Sequence, residues 1–221
     1  MLIAHRGGVA GSGFRENTLQ AFDRAMNHAG IDGIECDLRL TEDDIIVIHH
    51  DPHLEDGRFI ASVQWIDIPQ YVPTLHDLLR RASRRGYQGL INLEIKTYNT
   101  TAKVVKVLQE FADTIRPEQI LLSSFLHTQV NREREDKFAR GIIMACQPST
   151  TAFDKLTAHQ QDKLILRDCV INWADPTTAL LLECVAPKVF LWTVNQPERI
   201  KELRQKGFNV ITDVLPFIDD D

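Results

Sequence analysis

Gly33-Ile34-Glu35-Cys36-Asp37-Leu38-Arg39-Leu40 and Gly89-Leu90-Ile91-Asn92-Leu93-Glu94-Ile95-Lys96 decide the fold of this 221-residue chain. In a strand, side chains two apart share a face. Glu35 and Asp37 therefore point together, with Cys36 opposite. Asn92, Glu94 and Lys96 share a second polar face, opposite Leu93 and Ile95. One face is apolar throughout, as expected beneath covering helices. The other becomes charged toward its C-terminal end, the end at which a parallel barrel builds its active-site mouth.

Outward from these two runs, short apolar segments alternate with helical patterns. Strands are expected at Leu2–His5, Gln119–Ser124, Gly141–Cys146, Cys169–Trp173, Val189–Val194 and Asn209–Asp213, with a short extra one at Ile45–His50. Helical spacing marks Asn17–Ala29, Thr74–Arg85, Thr101–Thr114, Leu126–Lys137, Thr151–Lys163, Thr177–Val185 and Pro197–Lys206. Counting the two deciding runs, there are eight main strands with helices between them. That alternation implies parallel pairing, and eight repeats suffice to close a (β/α)8 barrel. A doubly wound open sheet would want G-x-G-x-x-G, a spacing that Gly7, Gly8, Gly11 and Gly13 do not keep. The stretch Asp51–Pro73 reads as a loop, so residues 1–221 are expected to form a single barrel domain.

Composition narrows the function classes. With 25 Lys+Arg against 31 Asp+Glu, the net charge is −6, which disfavours a nucleic-acid or anionic-membrane binder. No apolar run approaches the ~20 residues of a membrane span. Met1-Leu2-Ile3-Ala4-His5-Arg6 does not read as a secretory leader. Cys36, Cys146, Cys169 and Cys184 show no C-x-x-C spacing, so buried free thiols and a cytoplasmic location are expected. The basic run Arg80, Arg81, Arg84 and Arg85, and the mixed run Arg132–Lys137, read as solvated helix faces. Oligomeric state is not legible.

The chemistry lies at the strand ends: His5, then Glu35 and Asp37, then Glu94 and Lys96. Three converging carboxylates repel one another unless a cation or protons neutralise them. Oxygen donors suit a hard divalent cation, Mg²⁺ or Ca²⁺. Salt bridges from Glu35 and Asp37 to Arg6, Arg39 or Lys96 are the alternative reading. Parity places His50 on the face opposite His49, and His5 and His50 together suit phosphodiester cleavage. That reaction needs a base for the attacking hydroxyl and an acid for the leaving oxygen. Arg6 and Lys96 can hold the non-bridging phosphate oxygens. A metal-dependent amidohydrolase would want H-x-H on the first strand, which His5-Arg6-Gly7 lacks.

Taken in order, His5-Arg6-Gly7, Glu16-Asn17-Thr18, Glu35-Cys36-Asp37, His50-Asp51 and Glu94-Ile95-Lys96 resemble the glycerophosphodiester phosphodiesterase family. Ser123-Ser124-Phe125, Trp192-Thr193-Val194-Asn195 and Ile211-Thr212-Asp213 resemble its later segments, so the resemblance spans essentially the whole chain. It implies a TIM barrel with a divalent cation at Glu35, Asp37 and Glu94 and an acid–base pair of His5 and His50. It also implies attack by the substrate's own glycerol hydroxyl, giving a cyclic phosphate that is hydrolysed to glycerol 3-phosphate and an alcohol. His50 is taken as base and His5 as acid, although parity does not say which faces which oxygen. Arg15 departs from the proline usual before E-N-T. Asp51–Pro73 is shorter than the usual small inserted subdomain, with Leu54-Glu55-Asp56 in place of L-D-R-T. Few residues follow Asp213, so the eighth helix is expected to be vestigial. A lysophospholipase D acting through a more open mouth is the alternative enzyme. A non-catalytic barrel binding phosphorylated ligands is the alternative of another class.

Overall fold

A computed structural model describes residues 1–130, 137–144, 164–167 and 189–216. The strands are β1 (Leu2–Ala4), β2 (Gly33–Leu40), β3 (Ile46–Ile48), β4 (Leu90–Ile95), β5 (Ile120–Ser124), β6 (Ala139–Met144), β7 (Leu164–Arg167), β8 (Val189–Trp192) and β9 (Asn209–Thr212). Eight of them run parallel as a ring, β1-β2-β4-β5-β6-β7-β8-β9, which closes because β1 pairs with both β2 and β9. The remaining strand, β3, lies antiparallel against β2 outside the ring. The fold is a TIM-type (β/α)8 barrel. Around it lie α1 (Leu19–Met26), α2 (Leu75–Arg84), α3 (Thr101–Gln109), α4 (His127–Val130) and α5 (Pro197–Gln205).

Alternation along the strands separates two apolar layers. Ile3, Leu121, Ile143, Phe190 and Ile211 fill the barrel's interior. Ile34, Cys36, Leu38, Ile91, Leu93 and Ile95 pack outward with Phe22 of α1 and Leu75, Leu78 and Leu79 of α2. A second outward cluster joins Leu2, Ile142, Leu191 and Val210 to Leu203 of α5. The inward residues thus run from apolar at the base to polar at the mouth: Ile3 to His5, Gly33 through Glu35 to Asp37, Leu121 to Ser123. At Gly33 a side chain would meet the Leu90 carbonyl oxygen at 2.6 Å, so only glycine lets β2 and β4 approach this closely.

The helices begin where their caps dictate. Thr18 accepts from the Ala21 amide ahead of α1. Thr74 and Asp77 form a reciprocal capping box ahead of α2. The basic end of α2 is more than a solvated face, because Arg81 and Arg85 both pair with Asp23 and tie α2 to α1. The segment between β3 and α2 is a loop with a core of its own. There Leu54, Ile60, Val63, Ile68 and Val72 pack on Val47.

Two strands differ from expectation. β6 starts at Ala139 rather than Gly141, bringing the buried Arg140 into a strand where a charged side chain argues against one. The strand after it is Leu164–Arg167, a short apolar run indistinguishable by period from the end of a helix. The expected strand Cys169–Trp173 and helices Thr151–Lys163 and Thr177–Val185 lie outside the described residues. So do residues 131–136 of the expected helix Leu126–Lys137, residues 217–221, Cys146, Cys169 and Cys184. Cys36 is a buried free thiol. Among the described residues no helix is long and apolar enough to cross a membrane.

Candidate active site

The barrel mouth is organised by β2. Register sets Asp37 beside Glu94 of β4, and Glu35 beside Asn92. Glu35, Asp37 and Glu94 each bring one carboxylate oxygen within 4.8 Å of the others. All three are buried, at 2 %, 0 % and 6 % exposure. Asn92 is fixed by the Ser123 hydroxyl, which donates to its Oδ1 at 2.8 Å.

Two cations enter this acidic group. Lys96, just past β4, puts Nζ 2.6 Å from Glu94 Oε1 and 3.1 Å from Asp37 Oδ1. Arg6 puts Nε 3.1 Å from Asp37 Oδ2 and Nη1 2.9 Å from Glu16 Oε1. His5-Arg6-Gly7 leaves β1 as a tight turn in which Arg6 has φ 50° and Gly7 φ 93°. A side chain on Gly7 would also press on Ala21 at 2.6 Å. The turn aims the Arg6 amide at Glu35 Oε2, 3.0 Å away. Asn17 is likewise left-handed, with φ 56°, and its Nδ2 donates to Asp37 Oδ2 at 2.7 Å. Left-handed non-glycine residues persist where their surroundings hold them, and here two of them serve one carboxylate.

The ion-pair alternative raised by the sequence is realised for Asp37 with Arg6 and Lys96. Arg39 instead donates from Nε to the His50 carbonyl at 2.8 Å. Glu35 is different: among the described residues its buried Oε1 has neither a hydrogen-bond partner nor an ion pair, whereas Asp37 Oδ1 and Glu94 Oε1 face Lys96. Beside Glu35 and Glu94, and bounded also by His5, Asn92, Phe125 and Trp192, lies a cavity of about 20 Å³. That volume suits one ion or water-sized group. The unsatisfied oxygen, the hard oxygen donors and this space fit a divalent cation.

Protonation follows the packing. Burial and the Asp37 charge push the Glu35 carboxyl up to about 8. Burial and Asp37 also raise Glu94, against the pull of Lys96. Burial would raise Asp37 as well, but Lys96, Arg6 and Asn17 outweigh it and hold it low. His5 resists the effect of burial through Asp213 and Glu35, and its pKa is raised. Burial lowers His50, assisted by Arg6 and Lys96 and opposed by Asp37 and Asp51.

His50 Nδ1 lies 2.9 Å from Asp51 Oδ1. Parity separated His50 from His49, but β3 stops at Ile48 and alternation stops with it. Both histidines line a cleft of about 440 Å³ together with Glu16, Asn17 and residues of the β3–α2 segment. Asp37, Arg6 and Lys96 are electrostatic neighbours of His50. Sequence reasoning gave no role to Asn17, although Glu16-Asn17-Thr18 was its signal. It also missed Asn195, whose Nδ2 donates to Asp213 Oδ2 at 2.9 Å.

A sequence model of the Glycerophosphoryl diester phosphodiesterase family matches residues 5–215. A glycerophosphodiester phosphodiesterase of Caldanaerobacter subterraneus subsp. tengcongensis is 29 % identical, over 96 % of this chain and 93 % of that protein. The structure of an Oleispira antarctica phosphodiesterase in complex with the product sn-glycerol-3-phosphate superposes with a TM-score of 0.80. It is 26 % identical and covers 97 % of this chain and 93 % of that one. The glycerophosphodiester phosphodiesterase of Thermotoga maritima matches in fold, with a TM-score of 0.76, 22 % identity and coverage of 97 % and 94 %.

Proposed function

This chain belongs to the glycerophosphoryl diester phosphodiesterase family and is an enzyme of that class, and from that premise we propose how its own residues perform the reaction. The substrate is a glycerophosphodiester, cleaved to glycerol 3-phosphate and an alcohol. One observation carries the reading: three buried carboxylates meet within 4.8 Å at the C-terminal mouth of the barrel, and Lys96 pairs with Asp37 and Glu94 but leaves Glu35 Oε1 unsatisfied. Glu35, Asp37 and Glu94 would hold a divalent cation. When bound, that cation supplies positive charge where the phosphoryl oxygens become more negative.

The two histidines divide the proton transfers by environment. His50, lowered by burial, is neutral near pH 7 and takes the proton of the glycerol hydroxyl next to the phosphorylated carbon. That oxygen forms a bond to phosphorus and the bond to the alcohol oxygen breaks. His5, whose charged form Asp213 favours against the effect of burial, gives its proton to the departing oxygen. Water then opens the cyclic phosphate with the two roles exchanged. Arg6 and Lys96, both beside Asp37, hold the non-bridging oxygens and keep the dianionic transition state close to neutral. Holding nucleophile and phosphorus in one molecule removes the need to position water in the first step.

The test is a panel of glycerophospho-alcohols and lysophospholipids, together with an analogue whose neighbouring hydroxyl is replaced by hydrogen. Release of glycerol 3-phosphate from the diesters, with the analogue bound but uncleaved, is expected. Comparable cleavage of the analogue would rule out internal attack. Preference for the lysophospholipids would move the chain to the lysophospholipase D reading.

A further inference from the structure

Lys96 has two tasks that it cannot perform at once. Its Nζ stands 2.6 Å from Glu94 Oε1 and 3.1 Å from Asp37 Oδ1, so it is the counter-ion of two of the three carboxylates. The same ammonium is needed to hold a phosphate oxygen, and a divalent cation on those carboxylates would repel it.

Asp37 decides which group gives way. Its Oδ2 accepts from Asn17 Nδ2 at 2.7 Å and faces Arg6 Nε at 3.1 Å. Both of these partners are held by their backbone. Arg6 and Asn17 are left-handed, at φ 50° and 56°, and the Arg6 amide donates to Glu35. Arg6 is tied a third time, through its pair with Glu16. Lys96 reaches Oδ1 on a flexible stem and can leave without any change of backbone. Its side chain is 14 % exposed, so it borders the mouth. There Nζ also lies 5.6 Å from the centre of the Phe125 ring, within the range of a cation–π contact. Phe125 bounds the cavity beside Glu35 and Glu94.

We propose that Lys96 couples cation binding to phosphate binding. A divalent cation at Glu35, Asp37 and Glu94 releases Lys96 from Asp37 and Glu94, and the freed ammonium, kept in the mouth by Phe125, takes a phosphate oxygen. The inference rests on the reading that these three carboxylates hold a cation. It requires each ligand to strengthen the binding of the other. A phosphate that draws Lys96 away removes the competitor for Asp37 and Glu94, and by reciprocity the cation raises phosphate affinity by the same factor.

The experiment has two arms, neither of which reads turnover. In the first, wild type and K96M are titrated calorimetrically with calcium chloride, and separately with magnesium chloride, with and without saturating glycerol 3-phosphate. K96M, having no competitor at the carboxylates, should bind the cation more tightly than wild type. Glycerol 3-phosphate should raise cation affinity about tenfold more in wild type than in K96M, a factor within the usual range of coupling between sites. K96M strips two buried carboxylates of their counter-ion, so the second arm needs only wild type and the charge-preserving K96R. It follows the ¹⁵N resonance of the Lys96 ammonium by NMR, assigned by its loss in K96R. The resonance should shift when the cation is added and again with glycerol 3-phosphate. Equal coupling in wild type and K96M, or a Lys96 resonance that bound cation leaves unmoved, overturns the proposal while leaving the cation site intact. Should wild type bind neither cation, the metal reading itself fails and takes the coupling with it.

Discussion

His5 Nδ1 sits 2.6 Å from Asp213 Oδ1, a contact between residues 208 apart in sequence. The barrel makes it possible, because β1 pairs with β9 and Ala4 lies beside Thr212. With Nδ1 engaged, Nε2 is the nitrogen turned toward the carboxylates, 3.8 Å from Glu35 Oε2. Asn195 steadies the arrangement from Asp213's other oxygen.

Asp213→Asn should therefore act on kcat more than on KM, with a loss of about 10²-fold, the lower end for disabling a general acid. The sign of the accompanying pH effect follows from the direction of the shift. Asp213 raises His5, so removing its charge lets the acid form disappear at lower pH. The alkaline limb of the kcat profile should move down. A profile unchanged in shape would show that Asp213 does not act through His5.

His50→Ala should cost about 10²–10⁴-fold in kcat/KM, the usual range for a lost acid–base group. His49→Ala should stay within about tenfold of wild type, because the His49 ring bonds to the Asp51 carbonyl of its own turn and the substitution keeps the backbone amide that donates to the Asp37 carbonyl. Both constants come from the same glycerol 3-phosphate assay. Equal losses would assign the base to the wrong histidine.

Glu35 links the site to folding. In the metal-free protein its carboxyl keeps a proton up to about 8, whereas the unfolded chain releases one near the ordinary glutamate value. Between those limits the folded state binds more protons, so this residue's contribution to stability falls as pH rises. The difference in Tm between chelated wild type and Glu35→Gln should shrink and reverse across that window in Glu35→Gln's favour. Added divalent cation should stabilise wild type increasingly as pH rises, because binding displaces the proton. A difference that stays flat with pH would contradict the protonated state of Glu35.

Away from the mouth, Thr74→Ala removes half of the capping box that starts α2 and should cost about 1 kcal/mol of stability by denaturant unfolding. Catalytic constants should be preserved, since α2 packs on the outer layer of the barrel.

What was legible in the sequence was what local period encodes. Glu35, Asp37, Asn92 and Glu94 could be placed on inward faces because a strand alternates strictly, and the expected bounds of β2 match the observed ones. The reading weakened where alternation ended. His49 and His50 follow the last residue of β3, so their shared cleft was invisible to parity. The packing of Leu54, Ile60, Val63, Ile68 and Val72 has no period, so the β3–α2 segment read only as a loop. Arg140 is a charge buried in a strand, just ahead of the apolar run at which the strand was expected to begin. The contacts of Asn17 with Asp37 and of Asp213 with His5 exist only once the ring closes.

The central claim is that diester cleavage requires a cation held by Glu35, Asp37 and Glu94. The most direct measurement is glycerol 3-phosphate release by protein stripped of metal, before and after a divalent cation is restored, with metal content determined in parallel. The account predicts negligible turnover when stripped, recovery on adding the cation, and no recovery in Glu94→Gln. Full turnover in excess chelator, with metal shown to be absent, would contradict it.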